Sequence, residues 1–143
     1  MARILAIDYG KRRTGLAVTD ELQLIAGGLT TVDTKVLIEY LLDYMKREPV
    51  ERIIVGLPKQ MNNEPSENMR RVEPFVNRLR KLLPDIPVDY HDERFTSVLA
   101  QRTIIEAGIK KMARRNKELI DEISATIILQ SYMESQRMKK PIL

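Results

Sequence analysis

A single aspartate ends the first apolar run of the chain. Residues 3–8 read Arg-Ile-Leu-Ala-Ile-Asp, a cationic segment punctuated by Gly10 and Gly15 follows, and a second apolar run occupies residues 16–19. A carboxylate at the end of a core strand loses hydration and needs a compensating partner: a metal ion, a basic side chain or a row of N–H donors. The two runs are short and rich in Ile, Leu and Val, and the segment between them has hairpin length, with both glycines suited to positive φ. The spacing therefore predicts a hairpin with Asp8 at its turn end. On the hairpin alone, Asp8 serves equally well as a turn cap that accepts nearby backbone N–H groups.

Two further acids fall at comparable positions. Glu93, within Asp92-Glu93-Arg94, directly follows a predicted strand; its bland reading is a surface ion pair with Arg94, a contact worth little. Asp121 lies in the first turn of a predicted helix that is apolar nearly all round. Ser124 and Ala125, one turn on, are small enough to let that helix press against a sheet and aim Asp121 inward. Its alternative is a favourable acid at a helix N-terminus, worth roughly 0.3–1 kcal/mol. Three acids gathered at one sheet edge have the composition of a Mg²⁺ or Mn²⁺ site, because hard cations select carboxylate oxygen. Two such ions, about 3.5–4 Å apart, would activate a water and stabilise the leaving oxygen of a phosphodiester. The only histidine, His91, has two readings, a proton carrier beside Glu93 or a structural residue.

The cations are distributed with position. Lys11, Arg12 and Arg13 lie in the turn beside Asp8, and Lys110, Lys111, Arg114, Arg115 and Lys117 lead into Asp121; both groups are expected to contact phosphate. Arg70, Arg71, Arg78, Arg80, Lys81, Arg137, Lys139 and Lys140 are expected to cover helix faces in solvent.

The elements that must position these residues follow from periodicity and punctuation. A third strand is expected over residues 22–32, bent or bulged at Gly27-Gly28. Asp33 or Thr34 then caps a helix that runs through Arg47 and is ended by Pro49. A fourth strand spans 51–57, and residues 58–65 form a loop. Ser66 caps a second helix with Val72, Phe75, Val76 and Leu79 on one stripe; Pro74 either kinks it or marks where its regular part begins. A fifth strand covers 86–91. Thr96 or Ser97 caps a helix to about Ala107, stopped by Gly108, and a last helix spans about 118–137. Meander and crossover rules give an α/β fold with a five-stranded mixed sheet in order 3-2-1-4-5, the first three strands antiparallel, helices on both faces. Ligands gather at the carboxyl ends of strands near the topological switch, here between strands 1 and 4. Strand 4 separates strands 1 and 5, so Glu93 must reach across about 10 Å or meet Asp8 through a metal held on the substrate.

The chain of 143 residues, 43% hydrophobic, suits one domain over 1–138 with a frayed tail at 139–143. Its net charge of +4, within a 31% charged composition, is a mild pointer to polyanions. The absence of cysteine excludes disulfides and thiolate chemistry. No apolar run approaches the ~18 residues of a membrane span, and no signal-peptide pattern opens the chain, so a cytoplasmic location without membrane partners is expected.

These residues resemble the YqgF, or RuvX-like, family of pre-16S rRNA nucleases, on the RNase H-like fold shared with RuvC-type resolvases. The resemblance rests on Asp8-x-Gly10 with Arg12-Arg13-x-Gly15-x-Ala17-x-x-x-Asp20, on Val55-Gly56-Leu57-Pro58, on Asp92-Glu93-Arg94-x-Thr96-Ser97, and on Asp121 followed by Ala125 and Ile128-Leu129-Gln130-Ser131-Tyr132. It implies metal-dependent endonuclease chemistry, with Asp8, Glu93 and Asp121 as catalytic and metal-binding acids, and a role in maturing the 5′ end of pre-16S rRNA. Within its motifs, Arg94 and Thr96 join the expected nucleic-acid contacts. Two departures stand out: Glu118 replaces a frequent Gly, and Ser124-Ala125 replaces a frequent Ala-Ala.

Three rival readings are distinguishable. The sugar-kinase, actin and Hsp70 ATPase fold opens on a similar hairpin but needs a second one and a second lobe. A resolvase cutting branched DNA would normally act as a dimer; a monomer or weak homodimer is expected here. A non-cleaving RNA-binding assembly factor is the third alternative, against which three intact carboxylates weigh mildly. With two Phe and five Tyr, no base-stacking platform is identifiable.

Overall fold

Residues 2–57, 69–92 and 117–139 are described by the computed structural model of this chain. Five strands, β1 (Arg3–Asp8), β2 (Arg13–Thr19), β3 (Ala26–Asp33), β4 (Val50–Leu57) and β5 (Val88–Asp92), form one sheet in the order β3-β2-β1-β4-β5. β1–β2 and β2–β3 are antiparallel, whereas β1–β4 and β4–β5 are parallel. The order and directions expected from meander and crossover rules are those observed.

Strand alternation divides the core into two layers. Leu5, Ile7, Leu16, Ile53 and Val55 face one side, covered by α1 (Leu37–Arg47) and α2 (Met69–Leu82). Ile4, Ala6, Ala17 and Ile54 face the other, covered by α3 (Lys117–Lys139), which lies across β1, β2 and β3. At this second interface Ala6 and Ala17 meet Ala125, all fully buried, so helix and sheet approach closely. The buried α3 residues of this layer, Ala125, Ile128, Leu129 and Met133, fall on one stripe of the helix.

Several boundaries differ from expectation. Residues 22–25 were expected to open the third strand; instead they form a loop, and β3 begins at Ala26. The cause is Asp20, whose Oδ1 accepts the backbone N–H groups of Leu24 (2.7 Å) and Ile25 (2.8 Å), while Oδ2 accepts that of Leu22 (3.2 Å). Donors committed to a side chain are lost to a ladder. Gln23 takes φ 58° in this loop, and its side-chain amide donates to the Ala2 carbonyl at 2.9 Å. The bulge expected in β3 is present where the β2–β3 register skips Leu29, passing from Leu16↔Thr30 to Ala17↔Gly28.

Asp33, one of the two expected caps, accepts the Lys35 N–H at 3.1 Å, but the turn it caps is a short 3₁₀ segment, Thr34–Val36, leading into α1. Pro74 lies inside α2, which runs unbroken from Met69 to Leu82. Proline has no N–H to offer the carbonyl four residues back, that of the exposed Arg70. The cap at Ser66, the loop 58–65 and the helix expected after Thr96 lie outside the described residues.

Candidate active site

Asp8 ends β1 at the carboxyl edge of the parallel strands, beside the switch from antiparallel to parallel pairing. Alternation along Ile4, Ala6 and Asp8 puts its side chain on the α3 face of the sheet. Across the ladder Asp8 pairs with Gly15. Gly15 in turn receives the backbone of Asp121: a Cβ added there would collide with the Asp121 carbonyl and lie 3.0 Å from the Glu122 nitrogen. The missing side chain thus lets α3 pack onto the hairpin at Asp121 and Glu122, and brings the backbone of Asp121 to the ladder partner of Asp8, 113 positions away in sequence.

Arg13 reaches the same place. Its Nε donates to Asp121 Oδ2 at 2.9 Å, with side chains 40% and 24% exposed. Of the three turn cations read as phosphate contacts, this one is engaged with a site carboxylate, while Lys11 and Arg12 are exposed. The donor set of Asp8 and Asp121 is all carboxylate oxygen, and one of the pair already faces a cation, a chemistry that fits a hard divalent ion. Among the described residues no group of three His, Cys, Asp or Glu side chains forms a metal cluster. Glu93, the third acid of the sequence reading, lies outside the described residues, as do Arg94, Thr96, Lys110, Lys111, Arg114 and Arg115. Lys117 is the first residue of α3.

The turn is braced from the opposite face. Thr34 Oγ1 donates to the Gly10 carbonyl at 2.8 Å and lies 2.9 Å from Thr14 Oγ1, and the Thr34 N–H donates to the Arg12 carbonyl at 2.9 Å. Thr14 is fully buried, so these hydroxyls are shielded from competing water. Gly10 is required by the fold of the turn, since a Cβ there would strike the Arg13 carbonyl. Sequence reasoning saw Thr34 only as a cap and missed this brace; nothing in local spacing reveals a contact spanning 24 residues.

Next to Asp8, Tyr9 turns to the other face and packs its ring against Phe75, centroids 4.8 Å apart. These two rings, with Thr34, Lys35, Ile38, Arg71, Pro74 and Arg78, wall an open cleft of about 310 Å³. Arg71 and Arg78, read from sequence as solvent-facing, are exposed and line this concave surface beside the Asp8 turn. Their spacing carried a signal: residues 71, 74, 75 and 78 fall on one helical stripe.

The remaining histidine and several cations have structural duties. His91 Nε2 and Ser131 Oγ are hydrogen-bonded at 2.8 Å, and its ring meets Tyr132 edge-on at 6.1 Å. Burial pushes the Tyr132 hydroxyl above the usual tyrosine range. Arg80 donates to the Val88 carbonyl at 2.7 Å and lies over the Tyr90 ring, Arg52 pairs with Asp89, and Arg137 donates to the Leu24 carbonyl at 3.2 Å.

Residues 2–135 match the family model RuvX, described as Holliday junction resolvase. The chain belongs to the RuvX family. A relative from Bacteroides fragilis, named "Putative pre-16S rRNA nuclease", is 66% identical over 138 residues, covering 96% of this chain and all of the relative. One of the same name from Phocaeicola vulgatus is 67% identical over 137 residues, covering 96% and 99%. The RuvX chain also shares its fold with RuvC of T. thermophilus, solved in complex with a Holliday junction substrate, at TM-score 0.62 and 18% identity over 97% of each chain. A Fowlpox virus resolvase, solved with junction DNA, gives TM-score 0.57 at 17% identity, covering 94% and 98%. Among the described residues of this RuvX chain, no helix is long and apolar enough to cross a membrane.

Proposed function

We propose that this RuvX-family nuclease is a metal-dependent endonuclease that hydrolyses a phosphodiester bond in the 5′ region of precursor 16S rRNA. The observation that supports the reading is that Gly15, the ladder partner of Asp8, is also where the Asp121 backbone packs, so both acidic residues stand at the sheet edge where ligands of such folds bind. Relatives at 66–67% identity, matched over 99–100% of their length and named for pre-16S rRNA, support RNA as the substrate.

In the proposed reaction water attacks phosphorus, the bond to one bridging oxygen breaks, and that oxygen leaves with a proton. Asp8 and Asp121 would hold Mg²⁺ or Mn²⁺, with Glu93 as a third ligand; the ion supplies Lewis acidity at the scissile phosphate. Arg13 holds Asp121 in place and offsets its charge, and it must share or release that oxygen when an ion binds. Lys11 and Arg12, exposed on the same turn, attract the phosphate backbone. The proposed setting is the cytoplasm, where precursor rRNA is processed.

The test incubates purified protein with precursor rRNA and with a four-way DNA junction, in Mg²⁺, Mn²⁺ or EDTA, beside the Asp8→Asn variant. Specific cutting of the RNA that requires the metal and is abolished by Asp8→Asn supports the reading. Cutting of the junction alone makes the chain a resolvase, and undiminished cutting by Asp8→Asn, with contaminating nuclease excluded, defeats the role given to this carboxylate.

A further inference from the structure

The cleft beside Tyr9 holds chemistry that the carboxylate pair does not use. Three cations, Lys35, Arg71 and Arg78, line it against one acid, Glu39. Among the described residues none of the three cations is ion-paired, whereas Arg3, Arg13, Arg47 and Arg52 all are. The rest of the wall is apolar or aromatic: Ile38, Pro74 and the tilted Tyr9–Phe75 pair. Phe75 is nearly buried and Tyr9 half-buried.

We propose that this cleft is a subsite for one unpaired nucleotide of the RNA strand, with the base laid against Tyr9 and its phosphate held by Arg71, Arg78 and Lys35. The proposal rests on reading the Asp8 edge as the RNA-cleaving site. Four observations support it. A volume of about 310 Å³ stands at the lower end of small-molecule sites, a size suited to a single nucleotide rather than a helix. An aromatic ring beside unpaired guanidinium groups is the combination that holds single-stranded nucleic acid, since every base has a π-face and every link a charge. Tyr9 follows Asp8 directly and turns to the opposite face, so a strand crossing the sheet edge passes from one site to the other. The Thr34 brace ties the 3₁₀ turn carrying Lys35 to the Gly10 and Arg12 carbonyls, which fixes the cleft relative to the hairpin. A base locked in a duplex cannot enter, so the subsite selects strands that are unpaired beside the scissile link.

The test reads binding in EDTA, so that cutting plays no part. Anisotropy of a labelled single-stranded RNA 12-mer and of the same sequence in a duplex is measured for wild type, for Arg71→Ala/Arg78→Ala, and for Lys46→Ala/Arg47→Ala. The last pair removes equal formal charge from the far end of α1, about 14–15 Å along the helix from Leu37. The Arg71/Arg78 variant is expected to weaken single-strand binding about tenfold and to lower its salt slope by about 1.4, two contacts at roughly 0.7 each. Its duplex binding is expected to change less than about twofold, and the Lys46/Arg47 variant should alter neither. Equal losses from both variants, or equal losses for both RNAs, would reduce the effect to net charge and overturn the subsite. In parallel, photocrosslinking with RNA containing 5-iodouridine is expected to place the adduct on Tyr9; adducts found only elsewhere overturn the base position. Because neither measurement requires turnover, failure of the catalytic reading with Asp8→Asn is read separately from failure of the subsite.

Discussion

Gly15 carries more of the site than its size implies, because the ladder partner of Asp8 is also the landing point of the Asp121 backbone. Gly15→Ala should therefore cost about 1–3 kcal/mol in urea unfolding, as overpacking does, and should abolish cleavage by pushing α3 off the hairpin; wild-type stability and activity in that variant would show that the contact is slack. Arg13 and Asp121 are both partly in water, so their pair adds no more than about 1 kcal/mol to stability and matters for where it holds the carboxylate. Asp20 works differently. N–H donors from Ile25, Leu24 and Leu22 hold its carboxyl below its ordinary value of 3.8, against a smaller opposing effect of burial. A carboxyl lowered by folding contributes stability above its unfolded pKa and loses it as pH falls through the folded one. The stability gap between wild type and Asp20→Ala should thus be full near pH 6 and shrink below about pH 4 when followed by chemical denaturation. A gap independent of pH would mean that the neutral acid holds the loop equally well.

At the level of elements, the small residues at Ala6, Ala17 and Ala125 set how closely α3 approaches the sheet, and so where Asp121 stands. Ala125→Leu is expected to destabilise by about 1–3 kcal/mol and to lower cleavage more than stability alone explains, because the helix must lift; denaturation and activity measured together check it. This close approach was legible in the sequence, where Ser124 and Ala125 sit one turn after Asp121. The strand order was legible too, since hairpin and crossover rules leave few topologies for this succession of elements. The loop at residues 22–25 was not, because Leu22, Leu24 and Ile25 give the segment the apolar content of a strand, and only the three-dimensional reach of the Asp20 carboxylate diverts their N–H groups. The cleft was missed for a related reason: charge on a helix reads as solvated until a neighbouring element makes its surface concave. Arg71 and Arg78 acquire their setting from Tyr9 and the turn at Thr34, neither of which is near them in sequence.

Over the whole molecule, a net charge of only +4 makes position the deciding factor in attracting a polyanion. Several cations are held by carbonyls or acids away from the Asp8 edge, as with Arg3, Arg52, Arg80 and Arg137, whereas Lys11 and Arg12 are exposed on it. Replacing Lys11 and Arg12 together by alanine should weaken RNA binding and reduce the magnitude of its salt slope by about 1.4 on single strands; an unchanged slope would return both side chains to the solvent. At this edge α3 carries Asp121 on one face of the sheet and the aromatic cleft lies on the other. The claim beneath all of this is that Asp8 and Asp121 grip a divalent ion together. Manganese anomalous diffraction from soaked crystals tests it most directly: density within about 2.0–2.3 Å of an oxygen from each carboxylate is predicted, and crystals showing no ion between them while Arg13 keeps its hold on Asp121 would contradict it.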